Sequence, residues 1–401
     1  MSASAAFEAE PIPMIGPARL IRAAFEGSDM AAWANAILTQ SDDGIVDAGA
    51  ALDISTILLL MHRFDEALRI QSEVLQSSRR FTLRSNPSQA RTHVLVLVTA
   101  GDLMANTPVD FLLNDPGFSL EYLFLRPGDA IPHPLPAHDV VLVAVAYSSV
   151  NAPVLEALSE AAELWTRPVF NHPRHVLTTS RHGIAEALRE AEGILVPRIV
   201  RIGKTDVEQA GPHLPEGFGF PVLIRPIDTH AGNDLQKICG KADLEAYRAQ
   251  ASADDFYIIQ FIDYHSPDGL YRKLRVALID GIPFLCHMAL RDHWMIHYLN
   301  AGMSEDPEKR RAEAAAMADF DRVFAERHRA AFAEIHRRTG LDYLVLDCAE
   351  SPDGRLLVFE ADTGMVVHDM DSGDLFPYKP PQMRRIFSAF QAAVASRATQ
   401  G

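Results

Sequence analysis

Cysteine is scarce in this 401-residue chain: Cys239, Cys286 and Cys348 are far apart, odd in number and form no CxxC pair. That pattern disfavours a disulfide framework and a cysteine zinc site. Each thiol is expected to pack as a small apolar side chain in a reducing cytosol, with a reactive thiol the open alternative. Positive charge is also short, with 37 Lys and Arg against 53 Asp and Glu and a formal net charge of -16. A general nucleic-acid binder needs the opposite surplus to neutralise phosphates; a local basic pocket for a nucleotide stays open. Long hydrophobic runs are missing. The longest, such as residues 140–147, are too short to span a bilayer. The opening MSASAAFEAEPIPMIG has no basic start followed by an apolar run, so no signal peptide is read there. The expectation is a cytoplasmic protein that binds neither membrane nor nucleic acid.

What is present suits a globular chain. Apolar residues make up 48% of it, enough for ordinary cores, and its length allows two to four folded units. Residues 17–78 carry helical spacing, broken near Gly27-Ser28 and Asp42-Asp43-Gly44. Within them ILLLMHRFDEALRIQSEVL, residues 57–75, resembles the helix–turn–helix of a tetratricopeptide repeat. Such repeats pack in pairs, and no convincing 34-residue period follows. A helical cap on the next domain and a peptide-binding array are both open readings. Residues 80–89 are mostly polar and read as a linker.

Composition then changes. THVLVLVT at 92–99 and VVLVAVA at 140–146 are short apolar runs without alternation, as buried parallel strands require. Helical text at 153–164 and a short strand at 168–171 complete a βαβ rhythm, predicting an open α/β sheet. From residue 194 short strands at 199–202, 222–225, 237–239 and 257–262 surround a helix near 243–251, an α+β unit. Hairpins are predicted about Asp280-Gly281 and Asp353-Gly354. A long helix is predicted from Ser304 to a stop at Gly340, and a last helix from about residue 380.

The second hairpin, YLVLDCAESPDGRLLVFEAD at 343–362, gathers carboxylates. Glu360 and Asp362 are two apart on one strand and share a face; Asp347 lies on the strand before. Hard oxygen donors on neighbouring strands suit magnesium, which prefers carboxylates and bridges phosphates. Solvated acids on an exposed hairpin are the alternative, and the apolar flanks argue against it.

These residues resemble the ATP-grasp superfamily, which includes D-alanine–D-alanine ligase, glutathione synthetase and the ribosomal-protein glutamate ligases. The resemblance covers roughly residues 90–375. It implies an α/β and α+β multidomain chain: a helical segment 1–85, an open α/β pre-ATP-grasp domain 90–195, and a two-lobed ATP-grasp fold. In that fold 196–270 is a lid subdomain and 271–401 carries the metal site. By resemblance, Asp347, Glu360 and Asp362 hold magnesium, with Asp362 replacing the usual Asn. Arg181 and Arg225 stand at the two phosphate-binding lysine positions. His230, Ala231, Gly232 and Asn233 form the glycine-containing phosphate loop. Gln260, Phe261, Ile262 and Asp263, in YIIQFID, contact adenosine. Arg275 matches the family arginine that reaches phosphate or acyl-phosphate. Lys273 replaces an acidic nucleotide contact, and Val345 replaces an arginine that steadies the oxyanion, leaving Arg291 to take that work.

The segment HMALRDHWMIHYLNAGM at 287–303 supplies acceptor-side candidates His287, Arg291, His293, His297 and Tyr298, and His368 follows the metal strand. Histidines there suit a base near neutral pH, or plain packing. The activity implied is an ATP- and magnesium-dependent carboxylate–amine ligase on an amino-acid or peptide-like substrate, passing through an acyl-phosphate. The alternatives are an ATP-grasp kinase, a ligase with a non-amine acceptor, and a catalytically lapsed nucleotide-binding scaffold. Family members are often oligomers, so a homo-oligomer is in view, as is a peptide or protein partner at the helical N-terminus.

Overall fold

A computed structural model describes residues 7, 9–39, 46–204, 214–227, 229, 234–250 and 253–400. The chain divides into two compact units. The first comprises Met1–Leu177, Leu341–Leu344 and Asp362–Gly401; the second comprises Thr178–Gly340 and Val345–Ala361.

The first unit is built on a six-stranded sheet in the order β1-β2-β4-β3-β5-β6. Its strands are β1 (Ile12–Met14), β2 (Arg80–Leu83), β3 (Thr92–Thr99), β4 (Phe118–Leu125), β5 (Val140–Val143) and β6 (Val169–Phe170). Strand β3 runs parallel to β4 and β5, and β5 parallel to β6. Every residue of β5 is buried, which is why its sequence shows no alternation. The expected helical segment resolves into Pro17–Phe25, Met30–Thr39, Ala48–Leu60 and Phe64–Val74. The stretch 57–75 spans the end of Ala48–Leu60 and the whole of Phe64–Val74. Asp47 caps the helix Ala48–Leu60, its Oδ1 accepting from the Ala50 N–H at 2.8 Å. Leu20, Ile37 and Ile57 close a core among these helices.

The reading of 80–89 as a linker is corrected. Residues Arg80–Leu83 form a strand, pairing parallel with β1 and antiparallel with β4. Phe81 is fully buried, and Arg80 Nε donates to Glu121 on the neighbouring strand at 2.6 Å. A charge that is satisfied only across the sheet, by a residue about 40 positions away, makes β2 read as polar text.

The second unit holds two sheets. One is four-stranded, in the order β10-β9-β11-β8, from β8 (Ile199–Gly203), β9 (Val222–Pro226), β10 (Gln236–Ile238) and β11 (Asp255–Gln260). All its pairings are antiparallel. Val222, Ile224, Phe256 and Ile258 pack there with Leu244 and Tyr247 of the helix Lys241–Gln250. The other sheet runs β13-β12-β14-β15-β7, with β7 (Ile194–Leu195), β12 (Tyr271–Ile279), β13 (Ile282–Arg291), β14 (Tyr343–Glu350) and β15 (Leu356–Asp362). Strands β12 and β13 form the expected hairpin. Asp280 and Gly281 both have positive φ, 48° and 78°, which a two-residue turn of matching twist demands. A Cβ at Gly281 would also lie 3.0 Å from the His336 ring.

The single helix expected over 304–339 is three: Pro307–Asp319, Phe324–Arg327 and Arg329–Thr339. Its cap is Asp306, not Ser304; Oδ1 accepts from the Glu308 N–H at 2.8 Å, and Pro307 takes the first helical position. No Gly or Pro marks the break. It follows packing, with Phe320 buried and stacked on Phe324 at 5.8 Å. Gly340 ends the last helix with φ 64°, as expected. Cys286 and Cys348 are buried free thiols and Cys239 is exposed, so the apolar-packing expectation fails at Cys239. Among the described residues no helix is long and apolar enough to cross a membrane.

Candidate active site

The second unit concentrates charge on its five-stranded sheet. Lys273 and Arg275 are two apart on β12 and so share a face. Both reach Asp347 on the adjacent strand β14. Lys273 Nζ lies 2.8 Å from Asp347 Oδ2. Arg275 donates from Nε to Oδ1 at 2.9 Å and from Nη2 to Oδ2 at 3.2 Å, the paired geometry that gives guanidinium–carboxylate contacts their strength. Burial pushes the Asp347 carboxyl up, but the charges of Arg275 and Lys273 overcome it and hold the group far below the usual carboxylate range. Burial likewise disfavours the Arg275 cation, and Asp347 more than restores it.

Glu360 on β15 is paired with Arg181, at the start of the helix Arg181–Leu188. Burial disfavours its charge, but Arg181, with Arg225 and Lys273, keeps it ionised below its ordinary value despite the nearby Asp347. Arg225, on β9, is 5% exposed. Its fork is fixed by Thr229: Nε and Nη2 donate to Thr229 Oγ1 at 3.1 and 2.9 Å, and Nη2 also donates to the Thr229 carbonyl. Thr229 Oγ1 in turn donates to the Pro226 carbonyl at 2.9 Å. Burial, then the like charge of Arg181, pulls the Arg225 pKa down to about 10, so the cation persists at neutral pH. Among these groups four cations face two carboxylates. That surplus suits a polyanion.

His297 sits in the same electrostatic neighbourhood. Burial and Lys273 lower its pKa, against Asp347. Its backbone N–H donates to Asn300 Oδ1 at 2.9 Å, while Nε2 is buried without a partner among the described residues. The His287 ring packs on Tyr298 at 4.5 Å, and Tyr298 donates to Glu313 Oε2 at 2.9 Å. Arg291 donates to the Asn300 carbonyl at 3.3 Å. His293 is exposed, its Nδ1 accepting from the Met295 N–H at 3.2 Å.

Of the expected adenosine contacts, Phe261 lies under the Lys237 ammonium, 3.5 Å from its ring centre, with Trp294 edge-on at 5.8 Å. Gln260 is exposed, its Oε1 accepting from the Arg198 N–H at 3.2 Å. Ile262 packs against Tyr264, Ala349 and Leu357. Asp263 accepts from the Tyr271 hydroxyl at 2.9 Å. His230, Ala231, Gly232 and Asn233 lie outside the described residues.

Two expected residues belong to the first unit. Asp362 Oδ1 accepts from the Gly364 N–H at 2.7 Å, and His368 rests against Phe25 with ring centres 5.9 Å apart. Among the described residues no three His, Cys, Asp or Glu side chains are grouped as metal ligands. Sequence reasoning missed Thr229, Lys237 and Glu313. Thr229 alone left a signal, a hydroxyl four residues after Arg225 in the loop that follows its strand.

No protein-family model and no curated protein matches the sequence. Among solved structures the chain is similar to D-alanine--D-alanine ligase from Bacillus anthracis complexed with ATP, at 14% identity and TM-score 0.49, over 77% of this chain and 98% of that one. It is similar to the VanG D-Ala:D-Ser ligase from Enterococcus faecalis at 13% identity and TM-score 0.47, over 77% of this chain and 100% of that one. It is also similar to a RimK domain protein ATP-grasp from Sphaerobacter thermophilus, at 14% identity and TM-score 0.44, over 76% of this chain and 99% of that one.

Proposed function

We propose that the chain is an ATP-grasp ligase whose second unit binds the triphosphate of ATP and joins a carboxylate to an amine. One observation carries the reading: among the described residues Arg181, Arg225, Lys273 and Arg275 gather about two carboxylates, Asp347 and Glu360, within one compact unit. Arg225 is the prepared phosphate contact. Its position is set by Thr229 before any ligand arrives, so little reorganisation accompanies binding. Arg275 anchors Asp347, and Arg181 anchors Glu360.

Asp347 and Glu360 are held ionised and are hard oxygen donors, so their chemistry fits magnesium. Magnesium, when bound, would neutralise phosphate charge. In the proposed reaction a substrate carboxylate oxygen attacks the γ-phosphorus of ATP and ADP departs, leaving an acyl-phosphate. An amine then attacks the acyl carbon, phosphate departs, and the amine releases its proton. Arg291 and His297 are proposed for the acceptor side. The segment 196–270, with its own four-stranded sheet, is proposed as the lid that shields the acyl-phosphate from water.

A second reading has one observation in its favour. Both oxygens of Asp347 are engaged by side-chain cations, as suits a nucleotide-binding scaffold with lapsed chemistry. One screen separates the readings. Purified protein with ATP and magnesium is offered amino acids and short peptides in pairs, and ADP and product mass are measured. The ligase reading expects ADP release requiring both a carboxylate and an amine, with a product lighter than their sum by one water. A phosphorylated product points to a kinase. ATP binding with no ADP from any pair supports the scaffold.

A further inference from the structure

The first unit holds a cavity of about 100 Å³ between its N-terminal helices and its six-stranded sheet. Asp53 and Leu59 of the helix Ala48–Leu60, Asp110, Val98 of β3, and Tyr122 and Phe124 of β4 line it. Its other polar side chains, Thr56, Gln71, Thr99, Asp102, Asn106 and Thr107, each have a backbone hydrogen-bond partner, which sets Asp53, Asp110 and Tyr122 apart as the groups considered for a ligand. Asp53 is 1% exposed, and its two oxygens accept from the N–H groups of Ile15 at 2.8 Å and Gly16 at 3.1 Å. Asp110 Oδ2 accepts from the Ala18 N–H at 2.6 Å. Neither carboxylate forms an ion pair among the described residues. Tyr122 is 5% exposed, and its hydroxyl has no hydrogen-bond partner among those residues. Asp110 is half-buried. Burial pushes both carboxyls up to about 6 despite their N–H partners and despite the positive charge of Arg84 near Asp53 and of Arg22 near Asp110.

Buried carboxylates are normally matched by a cation, and a buried hydroxyl by a hydrogen bond. Water offers two donors and no charge. A primary ammonium offers three donors and a positive charge, matching two carboxylates and a phenol, while an apolar stem suits Leu59, Val98 and Phe124. The volume is below the roughly 150 Å³ that admits benzene, so the occupant has about four non-hydrogen atoms. We propose that this cavity is a binding site for a small primary aliphatic ammonium, its nitrogen held by Asp53, Asp110 and Tyr122. The site stands apart from the nucleotide reading and gives the N-terminal helices a task.

The test uses the full chain near pH 7.5 and n-propylammonium chloride as the probe, with propan-1-ol and sodium chloride as controls. Titration calorimetry and thermal unfolding should show saturable binding and a raised midpoint with the amine alone. Tyr122→Phe should weaken binding by roughly three- to tenfold, the range of one hydrogen bond. Asp110→Asn keeps an acceptor for Ala18 and should weaken it by roughly tenfold or more. Equal responses to propanol, no saturable heat, or affinity unmoved in Tyr122→Phe would overturn the proposal. So would an amine-soaked crystal holding only ordered water in the cavity.

Discussion

Arg275 grips Asp347 through both carboxylate oxygens, at 2.9 and 3.2 Å, from the neighbouring strand of the same sheet. With Lys273 on the same carboxylate, the arrangement has consequences for stability as well as for ligands.

Replacing Asp347 by Asn removes the countercharge of two cations in a largely water-free place. Stability at pH 7 should fall by about 3 kcal/mol, in the range for breaking buried pairs, and ATP turnover by about a hundredfold. The pH dependence has a definite sign. The folded carboxyl titrates far below its unfolded value near 4. Its contribution is therefore present above about pH 4 and lost progressively as pH falls below. Urea unfolding of wild type should weaken more steeply on acidification there than that of Asp347→Asn. Parallel acid profiles would show that the pair contributes nothing.

Lys273 competes with any divalent cation for Asp347 Oδ2, 2.8 Å away. Lys273→Met should bind manganese about tenfold more tightly, which is about 1.4 kcal/mol, in a titration followed by paramagnetic resonance. Unchanged manganese affinity would remove Asp347 from the metal set.

Glu360 and Asp347 stood out in the sequence because they interrupt apolar strand runs; Arg181, Arg225 and Arg275 were singled out only through the family resemblance. Their pairing was not legible. Lys273 reads as a nucleotide contact until Asp347, on a strand separated from it by a long helical stretch, is seen to hold it. The strands β3 and β5 were legible because burial on both faces leaves an unbroken apolar run, Val94–Val98 in β3 and all of β5. Strand β2 was hidden because Arg80 is neutralised by Glu121, a partner that no local window contains. The return of residues 362–401 to the first unit is a tertiary fact of the same kind.

That hidden strand changes what removing the N-terminal segment should do. Cutting at residue 85 looks harmless if 80–89 is a linker. In the structure the cut removes β1 and β2 from the six-stranded sheet. Phe81, fully buried and edge-on to Phe124 at 5.5 Å, goes with them. Leu20, Ile57 and Leu59 go too, all almost fully buried. Each such side chain contributes about 1.5–3 kcal/mol by burial, against a whole-domain stability of about 5–15 kcal/mol. The shortened chain should therefore aggregate or bind a hydrophobic dye, and residues 1–85 supplied as a separate polypeptide should restore solubility. If residues 86–401 stay soluble and monomeric by light scattering, with wild-type ATP affinity, the N-terminal segment is a detachable module after all.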